Sequence, residues 1–187
     1  LAPASVSEVY EQTVRAFNLA ERYRTPVVLL IDEVIGHLVE TVRIPDPDRL
    51  DIHERKWANV SAKEYRPYAV GDDMIPAMAR PGDGYRAHTT GLTHDESGFP
   101  TQDLETVARM SRRLLGKLEP HRTEIDQFNE LQVKDAEILI VAYGISARAA
   151  RHAVRKARDK GIKAGLFRLV TIWPFPEKAL TKAAKKA

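Results

Sequence analysis

The feature that most constrains the fold is a strand–helix–strand pattern between residues 136 and 170. It begins with AEILIVAYG, in which ILIVAY is a continuous apolar run, and ends with KAGLFRLV, which is apolar apart from Lys163 and Arg168. The stretch between them, SARAARHAVRKARDK, has helical spacing, with Ser146 as its predicted N-cap and Gly161 just past its end. Uninterrupted apolar runs of this length are typical of strands buried on both faces of a parallel sheet. We therefore predict a right-handed βαβ unit with buried central strands over residues 138–142 and 165–169.

The beginning of the chain predicts a second α/β piece. Ser5-Val6-Ser7-Glu8 is a capping-box pattern, and helical spacing continues from it to about Arg22. Pro26 ends this helix, and the run VVLLID predicts a third buried strand over residues 27–31. A short helix over residues 34–42 is expected next. The predicted fold class is therefore α/β, with two pieces that each contain parallel strands.

An irregular stretch, residues 44–100, separates these two pieces. Prolines and glycines interrupt it throughout, and it is too long for an ordinary loop, so we expect an ordered excursion wrapped on a scaffold or on a partner protein. The residues that could anchor it are Trp57, Tyr65, Tyr68, Met74, Ile75, Tyr85 and Phe99. The predicted division of the chain is thus 1–43, 44–100 and 101–187.

Helical spacing returns at Thr101. The apolar stripe that predicts this helix consists of Leu104, Val107, Ser111, Leu114 and Leu118, extended by Ile125 and Phe128. The motif Trp173-Pro174-Phe175-Pro176 is expected to turn the chain into a last helix.

Composition excludes several classes of function. The chain has no cysteine, so it contains no disulfide, no thiolate metal site and no ligand for an iron–sulfur cluster. The formal net charge of +3 is too small to indicate nucleic-acid binding. Part of it comes from lysines typical of a solvated helix face: Lys178, Lys182, Lys185 and Lys186. No apolar run approaches a membrane span, and we expect a soluble, cytoplasmic protein. Because the chain starts without Met and stops within a helical pattern, we interpret it as part of a longer polypeptide.

The richest cluster of polar side chains is RAHTTGLTHDESGFPTQD, residues 86–103. His88, His94 and Asp95 are residue types that bind zinc or iron, but their spacing fits neither one helix face nor one strand face. We therefore expect no metal there. THDESG is predicted to form a hydrogen-bonded turn, and HTTG a loop that faces a ligand or partner, which makes the candidate residues His88, Thr89, Thr90, His94 and Asp95.

Three further motifs have a structural and a functional interpretation. Pro81-Gly82-Asp83-Gly84 contains the Gly-Asp-Gly of a diphosphate–magnesium motif but lacks a buried strand before it, and we interpret it as a turn. Gly144-Ile145-Ser146-Ala147-Arg148 lies where a strand meets a helix, yet it has only the first glycine of a dinucleotide motif, so capping is favoured. Asp32-Glu33 follows a predicted strand, where α/β proteins place ligands, although these residues are equally suited to cap the next helix.

Three long stretches of the chain resemble the alpha subunit of 2-oxoacid:ferredoxin oxidoreductases, and the 2-oxoglutarate type (2-oxoglutarate synthase) in particular. They are SVSEVYEQTVRAFNLAERYRTPVVLLIDEVIGHLVETV, YRAHTTGLTHDESGFPT and ILIVAYGISARAARHAVRKARDKGIKAGLFRLVTIWPFP. The resemblance implies that residues 1–43 are the end of a thiamine-pyrimidine domain. It also implies that residues 101–187 are a helix followed by a transketolase C-terminal-like (Rossmann-like) parallel-sheet domain. HTTGLTHDESGFPT resembles the connector between those two domains.

The reaction implied by this resemblance is oxidative decarboxylation of 2-oxoglutarate to succinyl-CoA. Thiamine diphosphate with Mg²⁺ acts as the electron sink, and iron–sulfur clusters pass the electrons to ferredoxin. In this family the glutamate that contacts the pyrimidine and the Tyr-Pro-Ile-Thr-Pro motif lie upstream of Leu1, and the remaining cofactor sites lie on the beta subunit or on other chains or domains. We therefore expect no catalytic residue in this chain and no activity from it alone. The implied partners are the beta subunit, gamma and delta subunits in larger assemblies, and ferredoxin through the complex, without nucleic acid or membrane.

Other functions remain open from the sequence. Within the family, the chain could serve a broad-specificity 2-oxoacid enzyme or a pyruvate enzyme, because the substrate-facing motif is absent. Outside it, one alternative is a non-catalytic transketolase-like assembly module. The other is a nucleotide-binding α/β protein that uses the loop after Val141.

Overall fold

The computed structural model describes residues 1–185 and is a mixture of helices and a small sheet. Its helices are α1 (Val6–Tyr23), α2 (Glu33–His37), α3 (Leu104–Gly116), α4 (Arg122–Ile125), α5 (Gly144–Asp159) and α6 (Glu177–Ala184). Its strands are β1 (Phe128–Leu131), β2 (Ile138–Tyr143) and β3 (Ala164–Leu169). Two short 3-10 turns lie at Pro47–Arg49 and Glu119–His121.

The chain divides into two compact units. Among the described residues, the first contains 1–17, 27–52 and 122–185, and the second contains 18–26 and 53–121. Helix α1 therefore contributes residues to both units. The division of the chain into domains at residues 43 and 100 stays a prediction.

The sheet of the first unit confirms the predicted βαβ pattern. Its order is β1-β3-β2, and β3 is parallel to β2, to which α5 connects it. β3 is central and buried along its whole length, as predicted for residues 165–169. Strand β1, which pairs antiparallel with β3, was not predicted, because FNEL is short and half polar.

Helices pack on both faces of this sheet, because successive side chains of β3 point to opposite sides. On one face Phe167 and Leu169 pack with Val133 and with Ala183 of α6. On the other face Leu166 and Ala164 pack with Val154 of α5. The first unit thus has the α/β fold class that was expected.

The prediction of a buried strand over residues 27–31 is wrong. The segment is extended, but its backbone pairs only with Leu1: the Leu1 amino group donates to Val28 O at 2.7 Å, and Leu30 N–H donates to Leu1 O at 2.8 Å. Pairing with a single residue does not form a β-sheet. The side chains of the segment are not buried either: Val28, Leu30 and Ile31 are 65%, 49% and 43% exposed. The apolar run resembles a central strand, but within the described residues it lacks the neighbouring strands that would bury it.

Strand β2 confirms the prediction for residues 138–142 only in part. The strand forms, but it lies at an edge of the three-stranded sheet. Ile138 and Val141 are 54% and 45% exposed, so this strand is not among the most buried parts of the chain.

The capping box at the start of α1 is present. The hydroxyl oxygen of Ser5 accepts from Glu8 N–H at 3.2 Å, and the Glu8 carboxylate accepts from Ala4 N–H at 2.9 Å. Helix α2 is shorter than the predicted 34–42, because Leu38 has an extended backbone that ends it. At the other end of the chain, the lysines of the predicted solvated face at positions 178, 182 and 185 are exposed, and Lys186 lies outside the described residues.

The second unit contains most of the excursion, and side chains rather than regular structure hold it. No strand and nothing longer than a 3-10 turn is assigned within residues 44–100, as predicted. Tyr65 is buried, donates its hydroxyl to Ala77 O at 3.3 Å and accepts from Ala79 N–H at 3.0 Å. Trp57 makes a backbone bridge with Met78.

The helix predicted to begin near Thr101 is confirmed as α3, but much of its apolar stripe is not buried. The helix ends at Gly116, and Leu104 and Leu114 are 85% and 44% exposed. Of the later members of the stripe, Ile125 belongs to α4 and Phe128 to β1. Spacing alone does not show which positions of an apolar stripe a neighbouring segment covers. None of the helices among residues 1–185 is both long enough and apolar enough to cross a membrane.

Candidate functional site

The loop of residues 93–101 is closed by its own hydrogen bonds. Thr101 N–H donates to Thr93 O at 2.9 Å, and the Thr93 hydroxyl donates to Thr101 O at 2.9 Å. Inside this pair, Asp95 N–H donates to Phe99 O at 3.0 Å. The predicted hydrogen-bonded turn for THDESG is confirmed.

The carboxylate of Asp95 organises the tip of this loop. One of its oxygens accepts from Ser97 N–H at 2.9 Å, from the Ser97 hydroxyl at 2.6 Å and from Phe99 N–H at 3.2 Å. The Ser97 hydroxyl is the main reason that the pKa of Asp95 lies below its ordinary value. Asp95 is therefore a structural acceptor in this loop.

His88 fixes the loop from outside. Its Nδ1 lies 2.7 Å from Gly98 O, and its ring stacks on Phe99 with centroids 4.5 Å apart. Gly98 has φ +89°, and a Cβ there would overlap the carbonyl of His88, so only glycine fits. The predicted ligand-facing histidine thus has a clear packing role.

The other candidates do not converge on one point. His94 Nδ1 lies 2.8 Å from Asp95 O, and its ring lies against Tyr68 with centroids 3.9 Å apart. The Thr90 hydroxyl accepts from Leu92 N–H at 3.2 Å, while Thr89 is exposed. Across residues 1–185, no group of three or more His, Asp or Glu side chains could hold a metal ion.

A small cavity lies between loop 93–101 and α3, and we call it the loop pocket. Its volume is about 60 Å³, and its walls include Tyr68, His94, Arg109 and Arg113. Arg109 donates to the hydroxyl oxygen of Thr106 at 3.3 Å. The two arginines are one helical turn apart, so both lie on the face of α3 that meets the loop. Sequence reasoning missed them because their spacing alone does not show what they face.

Positive charge is concentrated around this part of the second unit. Lys117 is buried, and its Nζ donates to Tyr23 O at 3.0 Å and to Arg24 O at 2.9 Å, at the end of α1. Burial, with Arg113 and Arg24 nearby, lowers the pKa of Lys117 to about 8. Burial and Arg24 likewise lower the pKa of Arg113. Arg109 and Arg113 offer guanidinium groups to an anionic group, while the carboxylates of Asp95 and Glu96 also line the pocket.

The start of α5 is closed by a carboxylate from the same unit. Ile145 N–H donates to Asp32 Oδ2 at 2.8 Å, and the N-cap is Tyr143 rather than the predicted Ser146. Gly144 has φ +55°, and a Cβ there would overlap the Asp32 carboxylate. Asp32 therefore caps a helix far along the chain, while its backbone carbonyl accepts from Ile35 N–H at 3.0 Å in α2. Because this carboxylate occupies the place where a phosphate would bind, nucleotide binding after Val141 is disfavoured.

The Gly-Asp-Gly motif is a turn, as predicted. Gly82 and Gly84 have φ values of +95° and +81°, and Asp83 is exposed. Asp83 has no strand before it and no metal-binding group around it in the described residues. These residues do not fit a thiamine diphosphate–magnesium clamp, and a chain without cysteine cannot ligate an iron–sulfur cluster through thiolates.

Comparison with protein families gives two matches that together cover most of the chain. Residues 1–113 match the family described as pyruvate flavodoxin/ferredoxin oxidoreductase, thiamine diphosphate-binding. Residues 136–187 match pyruvate:ferredoxin oxidoreductase core domain II.

Curated proteins and a solved structure agree with these matches. The chain is 42% identical over 188 residues to the 2-oxoglutarate synthase subunit KorA of Methanothermobacter thermautotrophicus, a match that covers 100% of this chain and 50% of that protein. It is 34% identical over 184 residues to the ketoisovalerate oxidoreductase subunit VorB of the same organism, covering 98% of this chain and 45% of that protein.

The structural match is to the 2-oxoglutarate:ferredoxin oxidoreductase of Magnetococcus marinus with 2-oxoglutarate, coenzyme A and succinyl-CoA bound. It has a TM-score of 0.90 at 26% identity, and it covers 100% of this chain and 33% of that chain. The chain thus spans about half the length of the curated relatives that it matches. On this combination of family matches, identity and fold, the chain belongs to the 2-oxoacid:ferredoxin oxidoreductases.

Proposed function

We propose that this chain is part of the alpha subunit of a 2-oxoglutarate:ferredoxin oxidoreductase. The enzyme would convert 2-oxoglutarate and coenzyme A to succinyl-CoA and carbon dioxide and would pass two electrons to ferredoxin. The observation that carries this proposal is the 42% identity to a 2-oxoglutarate synthase subunit over the whole chain. The fold supports it as well, with a TM-score of 0.90 to an enzyme that acts on the same 2-oxoacid.

The part played by the described residues is structural positioning. They do not fit the thiamine diphosphate–magnesium clamp and include no cysteine, so those groups and the iron–sulfur clusters would be held by other parts of the assembly. We place the beta subunit among the partners, with gamma and delta subunits in assemblies that have them, and ferredoxin reached through the complex. The cytoplasm is the proposed location.

The residues that we propose face a ligand or a partner subunit are those in and beside loop 93–101: His88, Thr89, Thr90, His94 and Asp95. The backbone of loop 93–101 is closed by its own hydrogen bonds. His94 packs on Tyr68 and His88 stacks on Phe99, so the loop presents a fixed surface. The loop pocket adds two guanidinium groups to that surface. An acidic side chain of a partner would suit it, because guanidinium binds carboxylate through paired hydrogen bonds.

The experiment is to express the complete gene with its neighbouring subunit genes and to assay the purified assembly. Reduction of a viologen dye would be followed with coenzyme A and each of 2-oxoglutarate, 2-oxoisovalerate and pyruvate, and the acyl-CoA product identified by mass spectrometry. We expect succinyl-CoA from 2-oxoglutarate at the highest kcat/KM. Turnover confined to 2-oxoisovalerate or pyruvate would refute the substrate while leaving the family intact.

A second substrate class has its own support. The 34% identity to a ketoisovalerate oxidoreductase subunit makes branched-chain 2-oxoacids the next candidates. Comparable kcat/KM values for all three acids in the same assay would favour a broad-specificity enzyme.

A further inference from the structure

The first unit contains a cleft that the proposed function does not use. It lies beside edge strand β1, between helix α5 and the first turn of α1, and has a volume of about 420 Å³. Leu131 supplies apolar surface and Leu166 is buried beneath it, while Arg151, Arg155 and Arg168 supply guanidinium groups. Cavities of this size accommodate small organic ligands. We call it the arginine cleft.

Arg168 is the buried member of this group. Its side chain is 4% exposed, and it pairs with the Glu8 carboxylate and lies 3.3 Å from the amide oxygen of Asn129. Its buried Nε, however, has no hydrogen-bond partner among the described residues. A buried guanidinium N–H without an acceptor is costly. The surrounding chain covers this N–H, so Arg168 adds buried positive charge beneath the cleft.

The four arginines of helix α5 can be compared with one another by whether they form an ion pair. Arg148 pairs with Glu40 at 2.7 Å, and Arg158 pairs with Asp135 at 2.7 Å. Arg151 and Arg155, one turn apart on the cleft side, are exposed and form no ion pair within residues 1–185. The helix therefore leaves unpaired only those two of its four arginines that line the cleft.

Two carboxylates line the cleft as well. Burial tends to raise the pKa of Glu8, but the hydrogen bonds from Arg168 and from Ala4 N–H, with the charge of Arg151, hold it below its ordinary value. Glu8 is therefore neutralised by Arg168. Glu130 is exposed on β1 and is the only other acidic residue in the lining. Arg151 and Arg155 outweigh it, and the cleft has an excess of positive charge.

We propose that the arginine cleft binds a phosphate group, either as free phosphate or as the phosphate of a nucleotide. Phosphate offers several oxygens to paired guanidinium groups, which match its geometry better than point charges do. The half-buried Leu131 offers apolar surface for the organic part of a nucleotide. None of the residues of this cleft belongs to the loop pocket.

The test is hydrogen–deuterium exchange on the natural full-length protein, purified with the subunits that accompany it. Exchange of peptides covering β1 and α5 would be titrated with sodium phosphate, with ADP and with sodium chloride at matched ionic strength. We expect phosphate or ADP, but not chloride, to slow exchange in these peptides. Equal apparent affinities would identify free phosphate as the ligand, and tighter binding of ADP would identify a nucleotide.

Matched variants decide whether the arginines are responsible. The double change Arg151→Gln with Arg155→Gln should raise the apparent Kd at least about tenfold, since hydrogen bonds to charged groups contribute roughly that much each. Lys156→Gln is the control, because Lys156 is an exposed cation on the same helix outside the cleft. Absence of protection by either ligand would overturn the proposal. An equal weakening in the control would overturn it too, because only the overall charge would then matter.

Discussion

At the scale of single residues, two glycines at opposite ends of α5 allow the cost of backbone strain to be measured separately from the cost of steric overlap. Gly144 and Gly161 both have positive φ, +55° and +81°. A Cβ at Gly144 would overlap the Asp32 carboxylate, whereas a Cβ at Gly161 would meet nothing within 4 Å. The two positions therefore differ in contact but not in backbone class.

We predict that Gly144→Ala destabilises the protein more than Gly161→Ala. The change at Gly161 should cost about 1–2 kcal/mol, the price of a left-handed conformation for a residue with a Cβ. The change at Gly144 adds the overlap and should cost roughly 2–5 kcal/mol. Urea unfolding of both variants measures the difference. Equal losses would show that Asp32 does not hold the start of α5.

The buried Lys117 predicts how stability depends on pH. Its pKa is about 8 in the folded protein against an ordinary 10.5, so between these values the unfolded chain binds more protons than the folded one. The free energy of unfolding should therefore rise with pH across that window. The folded protein holds Lys117 neutral there, whereas the unfolded chain still binds the proton. Urea unfolding from pH 7.5 to 10.5 measures this slope.

The variant Lys117→Met should flatten that slope, since it removes the titrating group. Lys134→Met, at an exposed lysine, is the matched control and should keep the slope of the unmodified protein. The same slope in both variants would contradict the prediction.

Local chemistry in the loop was predictable from the sequence, but its surroundings were not. The turn at THDESG could be predicted because Asp95, Ser97 and Gly98 make bonds within a few residues of one another. Arg109 and Arg113 were missed because their role depends on the loop that α3 meets. Capping of the next helix was one of two interpretations of Asp32, but its side chain makes no capping hydrogen bond in α2. The helix that it caps begins more than a hundred residues later.

At the scale of elements, two similar apolar runs differ in whether they form a buried strand. GLFRL forms β3 between two strands, while VVLLI pairs with one residue and stays half exposed. Apolar composition describes what a segment can bury, but a strand exists only where neighbours complete its hydrogen bonds. Three strands were predicted to be buried, and only β3, which lies between β1 and β2, has the predicted burial along its whole length.

A substitution at Phe167 tests how much the burial of β3 contributes to stability. It is fully buried and stacks on Phe128 with centroids 4.9 Å apart. Phe167→Ala should cost about 3–5 kcal/mol, through lost burial and the cavity left behind. Phe175→Ala, at a ring that is 43% exposed, should cost under about 1 kcal/mol. Thermal or urea unfolding compares them, and similar losses would place the core elsewhere.

At the scale of the whole molecule, catalysis should require more than this chain. We expect no reduction of viologen when the purified chain is mixed with thiamine diphosphate, Mg²⁺, coenzyme A and 2-oxoglutarate. The reason is chemical: the chain has no cysteine to ligate a cluster, and no metal-binding group lies in residues 1–185. Addition of the natural complex is the positive control. Dye reduction by the chain alone would refute the proposed function.

The outer edge of β2 has a practical consequence for anyone who handles this chain. Ile-Leu-Ile-Val-Ala-Tyr contains no charge, proline or glycine, and within the described residues only β3 pairs with it. Its free side is a row of backbone donors and acceptors that another β2 can match, and Ile138 and Tyr143 leave apolar surface next to it. Kept by itself at high concentration, the chain should assemble edge to edge and precipitate, unless another strand covers that edge first.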